Sequence, residues 1–128
     1  MGSQDKKLKW NNRFIDSFLN AIAGIKEAIS RERNMKIHLV TALVVVVLAI
    51  VLSLPILHLL VLLIIISLVI SFELMNTAIE RLVDLATEEF HPLAKAAKDL
   101  AAGAVFVMAI TAVVIGIILF YKPLLSLF

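Results

Sequence analysis

The polar and apolar positions divide the chain into stretches of different period. From Arg13 to Ile29, the residues Phe14, Ile15, Phe18, Leu19, Ile22, Ile25 and Ile29 recur at three- and four-residue spacing, the repeat of an α-helix with one apolar stripe. Arg13, Asp16, Asn20 and Glu27 fall off that stripe. The spacing predicts an amphipathic helix over 13–30 that lies in a membrane interface or against another protein surface. Ahead of it, residues 1–12 read as a polar tail. From Ile37 to Phe72 there is no Asp, Glu, Lys or Arg, a run too long for one membrane span of about 20 residues. Pro55 lies near its middle, in SLPILH, where it and the restricted residue before it break a helix. Two spans follow, 35–53 and 56–86, joined by a tight turn. At 1.5 Å per residue the second is about 46 Å long, against a hydrocarbon core of about 30 Å. Its C-terminal third is therefore expected to project from the bilayer. After the loop TEEFHP, Pro92 suits the first turn of a third spanning helix over 93–121, which Lys122-Pro123 is expected to end.

Composition narrows the class. Of 128 residues, 62% are hydrophobic, and the mean hydropathy is +1.04. These values describe an all-α integral membrane protein, one domain over 1–128, rather than a soluble one. The net charge of +2 is too small and too divided in location for nucleic-acid binding. Cysteine is absent, which removes a disulfide framework, a thiolate nucleophile and thiolate metal ligands. MGSQDKKLKW reads neither as a cleaved signal peptide nor as a myristoylation signal. Eight Lys or Arg precede Ile37, and Arg81, Lys95 and Lys98 flank the second loop, whereas the turn at Pro55 has none. The positive-inside rule then places the N-terminus and the second loop in the cytoplasm.

The candidate chemistry sits where the second span runs into polar sequence. In SLVISFELMNTAIERLVDLA, Glu73, Asn76, Glu80 and Asp84 fall within an arc of roughly 80° on a helix. Ionisable groups that continue from an apolar run are costly in lipid and mark function. Glu80, with Glu32 from the start of the first span, suits Mg²⁺, which takes oxygen ligands from one or two carboxylates and phosphates. Glu73 lies about two turns deeper, beside Phe72 and Leu74, where partial desolvation suits a general base for an alcohol presented from the bilayer. Lys98 suits a polyphosphate as a point charge, and Asp99 suits holding Lys98 or accepting from a nucleotide. No GxxxxGK(S/T) loop and no GxGxxG loop occurs, so a bound ATP would occupy a different kind of site.

ELMNTAIERLVDLATEEFHPLAKAAKDLAAGAV, Glu73 to Val105, resembles the signature of the small prokaryotic diacylglycerol kinases. That signature runs Glu-x-x-Asn-(Ser/Thr)-Ala-Ile-Glu-x-x-x-Asp, then His, then Ala-Lys-Asp and a small-residue stretch ending Ala-Val. ERNMKIH, Glu32 to His38, and HPLAKAAKDLAAGAV are similar to the Gram-positive branch, whose members act as undecaprenol kinases. The resemblance covers nearly the whole chain and weakens before Arg13 and after Tyr121. It implies a homotrimeric enzyme of the bacterial cell membrane, with three transmembrane helices and one interfacial helix per subunit and sites between subunits. It implies Glu73 as catalytic base supported by Asn76, and Glu32 and Glu80 as holders of Mg²⁺. Arg13, Lys98 and Asp99 would contact ATP, with Glu89, Phe90 and His91 of the loop. Where some members set an aromatic against the nucleotide, this chain has Asn20, which keeps the position in the nucleotide set and removes the stacking. The implied acceptor is undecaprenol, feeding carrier lipid for cell-wall glycans, with diacylglycerol as the alternative.

Plainer roles compete for several of these residues. Asp84 suits a surface partner for Arg81, and His91 a helix start. His38 and His58 read as membrane-interface residues. Gly103, with Ala101, Ala102 and Ala104, reads as a surface for close helix packing. A small proton-coupled transporter would also account for Glu73, but not for the array that includes Lys98 and Asp99. A non-catalytic scaffold is a third reading, and it predicts tolerance of Glu73→Gln.

Overall fold

In a computed structural model the chain is all-helical. The described residues are 3–126, with side chains from Arg13 onward. Four helices follow one another: α1 (Ser3–Arg31), α2 (Arg33–Val51), α3 (Ile56–Ala86) and α4 (Pro92–Leu125). The chain divides into two units, Met1–Glu32 and Arg33–Phe128.

The first unit is α1. The helix begins at Ser3, so most of the expected polar tail continues the helix. Met1 and Gly2 lie outside the described residues. Phe14, Ile15, Phe18, Leu19, Ile22, Ile25 and Ile29 are all exposed.

In the second unit, α2, α3 and α4 are each long and apolar enough to cross a membrane. The run Val44–Val47 in α2 is β-branched and would be a poor helix in water. In lipid no water can satisfy the backbone, and the helix satisfies every N–H and C=O internally. Hydroxyls inside the spans follow the same rule: Ser67 Oγ donates to Leu63 O at 2.8 Å, and Thr111 Oγ1 to Val107 O at 2.9 Å.

α3 packs against both α2 and α4. Its buried positions are Leu62, Ile65, Val69, Glu73, Asn76 and Thr77, a three- and four-residue repeat that forms one seam. Ala49, Leu54, Leu62, Leu119 and Phe120 close an apolar cluster at the turn end of the unit. Only 11%, 22% and 17% of the apolar windows of α2, α3 and α4 are buried. Most of each span therefore faces lipid or other chains.

The α2–α3 turn follows from backbone chemistry. Ser53 has φ 52°. Its N–H donates to Ile50 O at 2.9 Å, and that of Leu54 to Ala49 O at 3.0 Å. These two bonds form a Schellman cap, and Leu54 and Ala49 are both buried in the apolar cluster. Pro55 then opens α3, its carbonyl accepting from His58 N and Leu59 N at 2.9 and 3.2 Å. Because α2 and α3 are level at this turn, the excess length of α3 lies at its far end. At 31 residues it measures about 46 Å, whereas α2, at 19 residues, is about 28 Å. Leu119 and Phe120 place the C-terminal part of α4 at the turn end. The 34 residues of α4 likewise overrun toward the second loop. α4 continues to Leu125, with Pro123 inside it, past the expected stop at Lys122-Pro123. Proline removes only its own N–H bond, and Ser126 N still donates to Lys122 O at 3.1 Å, so the last turn survives.

Ser53 occupies a left-handed position that glycine takes without a Cβ penalty. Ser53→Gly is expected to raise the unfolding free energy by about 0.5–1 kcal/mol, read from denaturant unfolding in detergent. A loss of stability would show that the Ser53 side chain itself supports the turn.

Candidate active site

The seam that buries Leu62, Ile65 and Val69 continues without a break into Glu73, Asn76 and Thr77. The sequence thus places a carboxylate, a carboxamide and a hydroxyl where apolar side chains hold the helices together. Glu73 lies 17 residues beyond Ile56, about 26 Å along α3, within the reach of a hydrocarbon core of about 30 Å. It is 2% exposed. His38, from α2, brings Nε2 to 4.0 Å from Glu73 Oε2.

One turn further on, Asn76 Nδ2 donates to Glu80 Oε1 at 3.0 Å. This i, i+4 bond fixes the Glu80 carboxylate against α3. Asn76 Oδ1 is buried and accepts no hydrogen bond among the described residues. A buried acceptor without a donor is costly, and here it leaves an oxygen beside Glu80, suited to a hard cation or a hydroxyl donor. Among the described residues, no three His, Asp or Glu side chains of one chain enclose a cation. Mg²⁺ does not require such a cage, because it keeps waters and shares phosphate oxygens. The donor set around Glu80 therefore fits it.

Asp84, the next residue on this face, is exposed and forms an ion pair with Lys98 of α4. Lys95 pairs with Asp99 along α4. This corrects the expectation that Asp99 holds Lys98. Neighbouring residues point about 100° apart on a helix, whereas i and i+4 face each other. The partner that ties Lys98 across to α3 is Asp84. Both pairs are largely open to solvent, where ion pairs contribute little to stability.

The loop between α3 and α4 is built from local caps. Thr87 N donates to Val83 O at 3.1 Å, and Thr87 Oγ1 accepts from Glu89 N at 3.2 Å. His91 is the N-cap of α4, its Nδ1 accepting from Leu93 N at 3.2 Å. Pro92 takes the first helical position, where no N–H is needed. The loop and the adjoining helix ends line an open pocket of about 300 Å³. Asp84, Glu89, His91, Lys98 and Asp99 are on its wall, and so is Phe90, which is 81% exposed.

The structure thus gathers the candidates of this unit in two places. Glu73, Asn76 and Glu80 occupy the α3 seam, and Glu89, His91, Lys98 and Asp99 surround the loop pocket. Asp84 lies one turn beyond Glu80, so the two places share a face of α3 that runs about 16 Å from Glu73 to Asp84. Arg13 and Asn20 are exposed on α1, and Glu32, half-exposed, ends the other unit. Sequence reasoning missed the proximity of His38 to Glu73 and the role of Asp84 as partner of Lys98. The separations of 35 and 14 positions carry no helical signal.

The family model of the prokaryotic diacylglycerol kinases matches residues 19–120. The chain belongs to that family. It is 43% identical to the undecaprenol kinase of Bacillus subtilis over 124 residues, 97% of this chain and 100% of that protein. It is 46% identical to a diacylglycerol kinase of Synechocystis over 112 residues, 87% of this chain and 64% of that protein. A diacylglycerol kinase of Helicobacter pylori is 34% identical over 98 residues, 77% of each chain. This prokaryotic diacylglycerol kinase family member is accordingly a membrane lipid kinase, an enzyme that draws a phosphoryl group from a nucleotide.

The His91 cap satisfies a backbone N–H of the first turn of α4. His91→Ala is expected to cost about 0.5–2 kcal/mol and to speed amide hydrogen exchange at Leu93. His91→Asn, which can cap, is expected to keep the exchange slow.

Proposed function

We propose that this lipid kinase transfers the γ-phosphoryl group of ATP to the terminal hydroxyl of undecaprenol, giving undecaprenyl phosphate and ADP. The observation that carries this reading is the burial of Glu73 on the α3 seam, on the same helix face as the polar array that leads to the loop pocket. A lipid hydroxyl reaches Glu73 from the bilayer, and a nucleotide reaches the pocket from water. The face of α3 between them is where the two substrates meet.

The transfer is direct and in line. Glu73 accepts the hydroxyl proton as the lipid oxygen bonds to the γ-phosphorus. The bond from that phosphorus to the bridging oxygen breaks, and ADP leaves. Asn76 orients Glu80 through its Nδ2 bond, and with Glu32 the Glu80 carboxylate would hold Mg²⁺. The bound ion would neutralise phosphate charge. Lys98 contacts the polyphosphate, exchanging its Asp84 partner for phosphate oxygens. Arg13, Asn20, Glu89, His91 and Asp99 complete the nucleotide contacts. Positioning and charge stabilisation supply most of the acceleration in such transfers.

α1 lies in the membrane interface on its apolar stripe, with the N-terminus and the loop pocket in the cytoplasm. The chain works as a homotrimer, which would cover part of the apolar surface a single chain leaves open and bring Glu32 of one subunit toward Glu80 of another. The full-length match to the Bacillus undecaprenol kinase supports undecaprenol as acceptor. The match to the Synechocystis diacylglycerol kinase supports diacylglycerol as the second candidate.

The acceptor is tested by phosphate transfer from labelled ATP in mixed micelles with Mg²⁺, offering undecaprenol and diacylglycerol side by side. Undecaprenyl phosphate is expected to dominate. Dominant phosphatidic acid would replace the acceptor and leave the mechanism intact. Glu73→Gln is expected to lower turnover by about 10²–10⁴-fold while binding of ATP with Mg²⁺ survives. Near-normal turnover would remove Glu73 as the base. Glu80→Gln is expected to raise the Mg²⁺ concentration needed for half-maximal rate, and an unchanged Mg²⁺ dependence would count against its metal role.

A further inference from the structure

A base as enclosed as Glu73 has two tasks. It must take a proton during transfer, and it must lose that proton before the next turnover. With 3% of its side chain exposed, Glu73 has little direct access to water. The imidazole of His38 approaches it and is itself partly exposed. His38 Nε2 lies 4.0 Å from Glu73 Oε2, and 22% of the His38 side chain is exposed.

The placement on α2 is specific. Met35, His38, Leu39, Ala42, Val45 and Ala49 are the less exposed positions of that helix and recur at three- and four-residue spacing. Lys36 and Ile37 are exposed. The helix therefore directs the imidazole toward α3, whereas an interfacial anchor would face the headgroups. Imidazole is also the side chain whose ordinary chemistry takes up and releases protons near neutral pH.

We propose that His38 is a positioning residue for phosphoryl transfer. It holds the Glu73 carboxylate in place and conducts the proton of Glu73 to water after each turnover. The inference rests on Glu73 being the base, as proposed above. The lipid hydroxyl proton passes to Glu73 as its oxygen bonds to phosphorus. Closing the gap to His38 by about 1 Å brings Glu73 within hydrogen-bond reach. The proton then moves to Nε2, and the imidazolium releases a proton to water. Glu73 is left ionised and His38 neutral. Catalytic hydrogen bonds are often long in the free enzyme and tighten in the complex with substrate.

The test uses the full chain in mixed micelles with ATP, Mg²⁺ and undecaprenol. His38→Ala is expected to lower kcat by about 10–100-fold, with KM for ATP and ATP binding unchanged. Added imidazole is expected to restore kcat. Pyrazole, which has the same shape and is a far weaker base, is expected to restore much less. If imidazole restores no more than pyrazole does, His38 only fills space and the proposal is overturned. His38→Gln keeps a polar side chain without a proton carrier, and it decides the matter if His38→Ala does not fold. A matching fall in kcat is expected, and full kcat overturns the proposal. Glu73→Gln, assayed in parallel, separates the two ideas. If it is inactive while both His38 variants keep kcat, only the role of His38 falls. If it turns over normally, the base assignment falls and the relay with it.

Discussion

A buried carboxylate on the helix-packing seam of a membrane protein is the constraint on which the rest of this structure depends. Removing an ionised group from water costs several kcal/mol even after relaxation, and Glu73 is 2% exposed. Asn76 and Thr77 add further polar burial at 6% exposure each. The apolar cluster of Ala49, Leu54, Leu62, Leu119 and Phe120 lies at the opposite, turn end of the unit. The same seam is thus apolar at one end and polar at the other. Apolar packing is concentrated at the first, and the buried polar groups at the second.

Helix length connects this seam to water. α2 is about as long as the hydrocarbon core is thick, whereas α3 and α4 exceed it. Both overrun on the side of the loop, so the face that buries Glu73 in the seam carries an exposed Asp84 about 16 Å further on. One helix thus joins a buried polar seam to an open pocket. Short local caps at Thr87 and His91 are enough to shape the loop pocket, because the two long helices already fix its walls.

Much of this was legible before any coordinates. Pro55 inside an uncharged run from Ile37 to Phe72 required two spans and a turn, and the observed break between Val51 and Ile56 agrees. The 80° arc of Glu73, Asn76, Glu80 and Asp84 follows from helical geometry alone. The start of α1 and the end of α4 were less legible. Helix propensity near a terminus is weak, and a proline in a last turn removes only one bond. The partner of Lys98 is not legible in the sequence, because adjacency in sequence is not adjacency on a helix.

The sequence by itself determined the class of the protein, its apolar helices, the helix face that gathers Glu73, Asn76, Glu80 and Asp84, and the family. All of these are properties of composition and of period along one helix, and a period needs no knowledge of what lies opposite. The tertiary structure alone decided which side chains meet across helices. It set His38 against Glu73 and Asp84 against Lys98, and it turned a polar face into a buried seam at one end and an open pocket at the other. Those pairings depend on the register between α2, α3 and α4. Register is set by how the turn at Ser53 and the loop at Thr87–His91 close, and by how the apolar seams interlock, and neither leaves a signal in the spacing of residues along the chain.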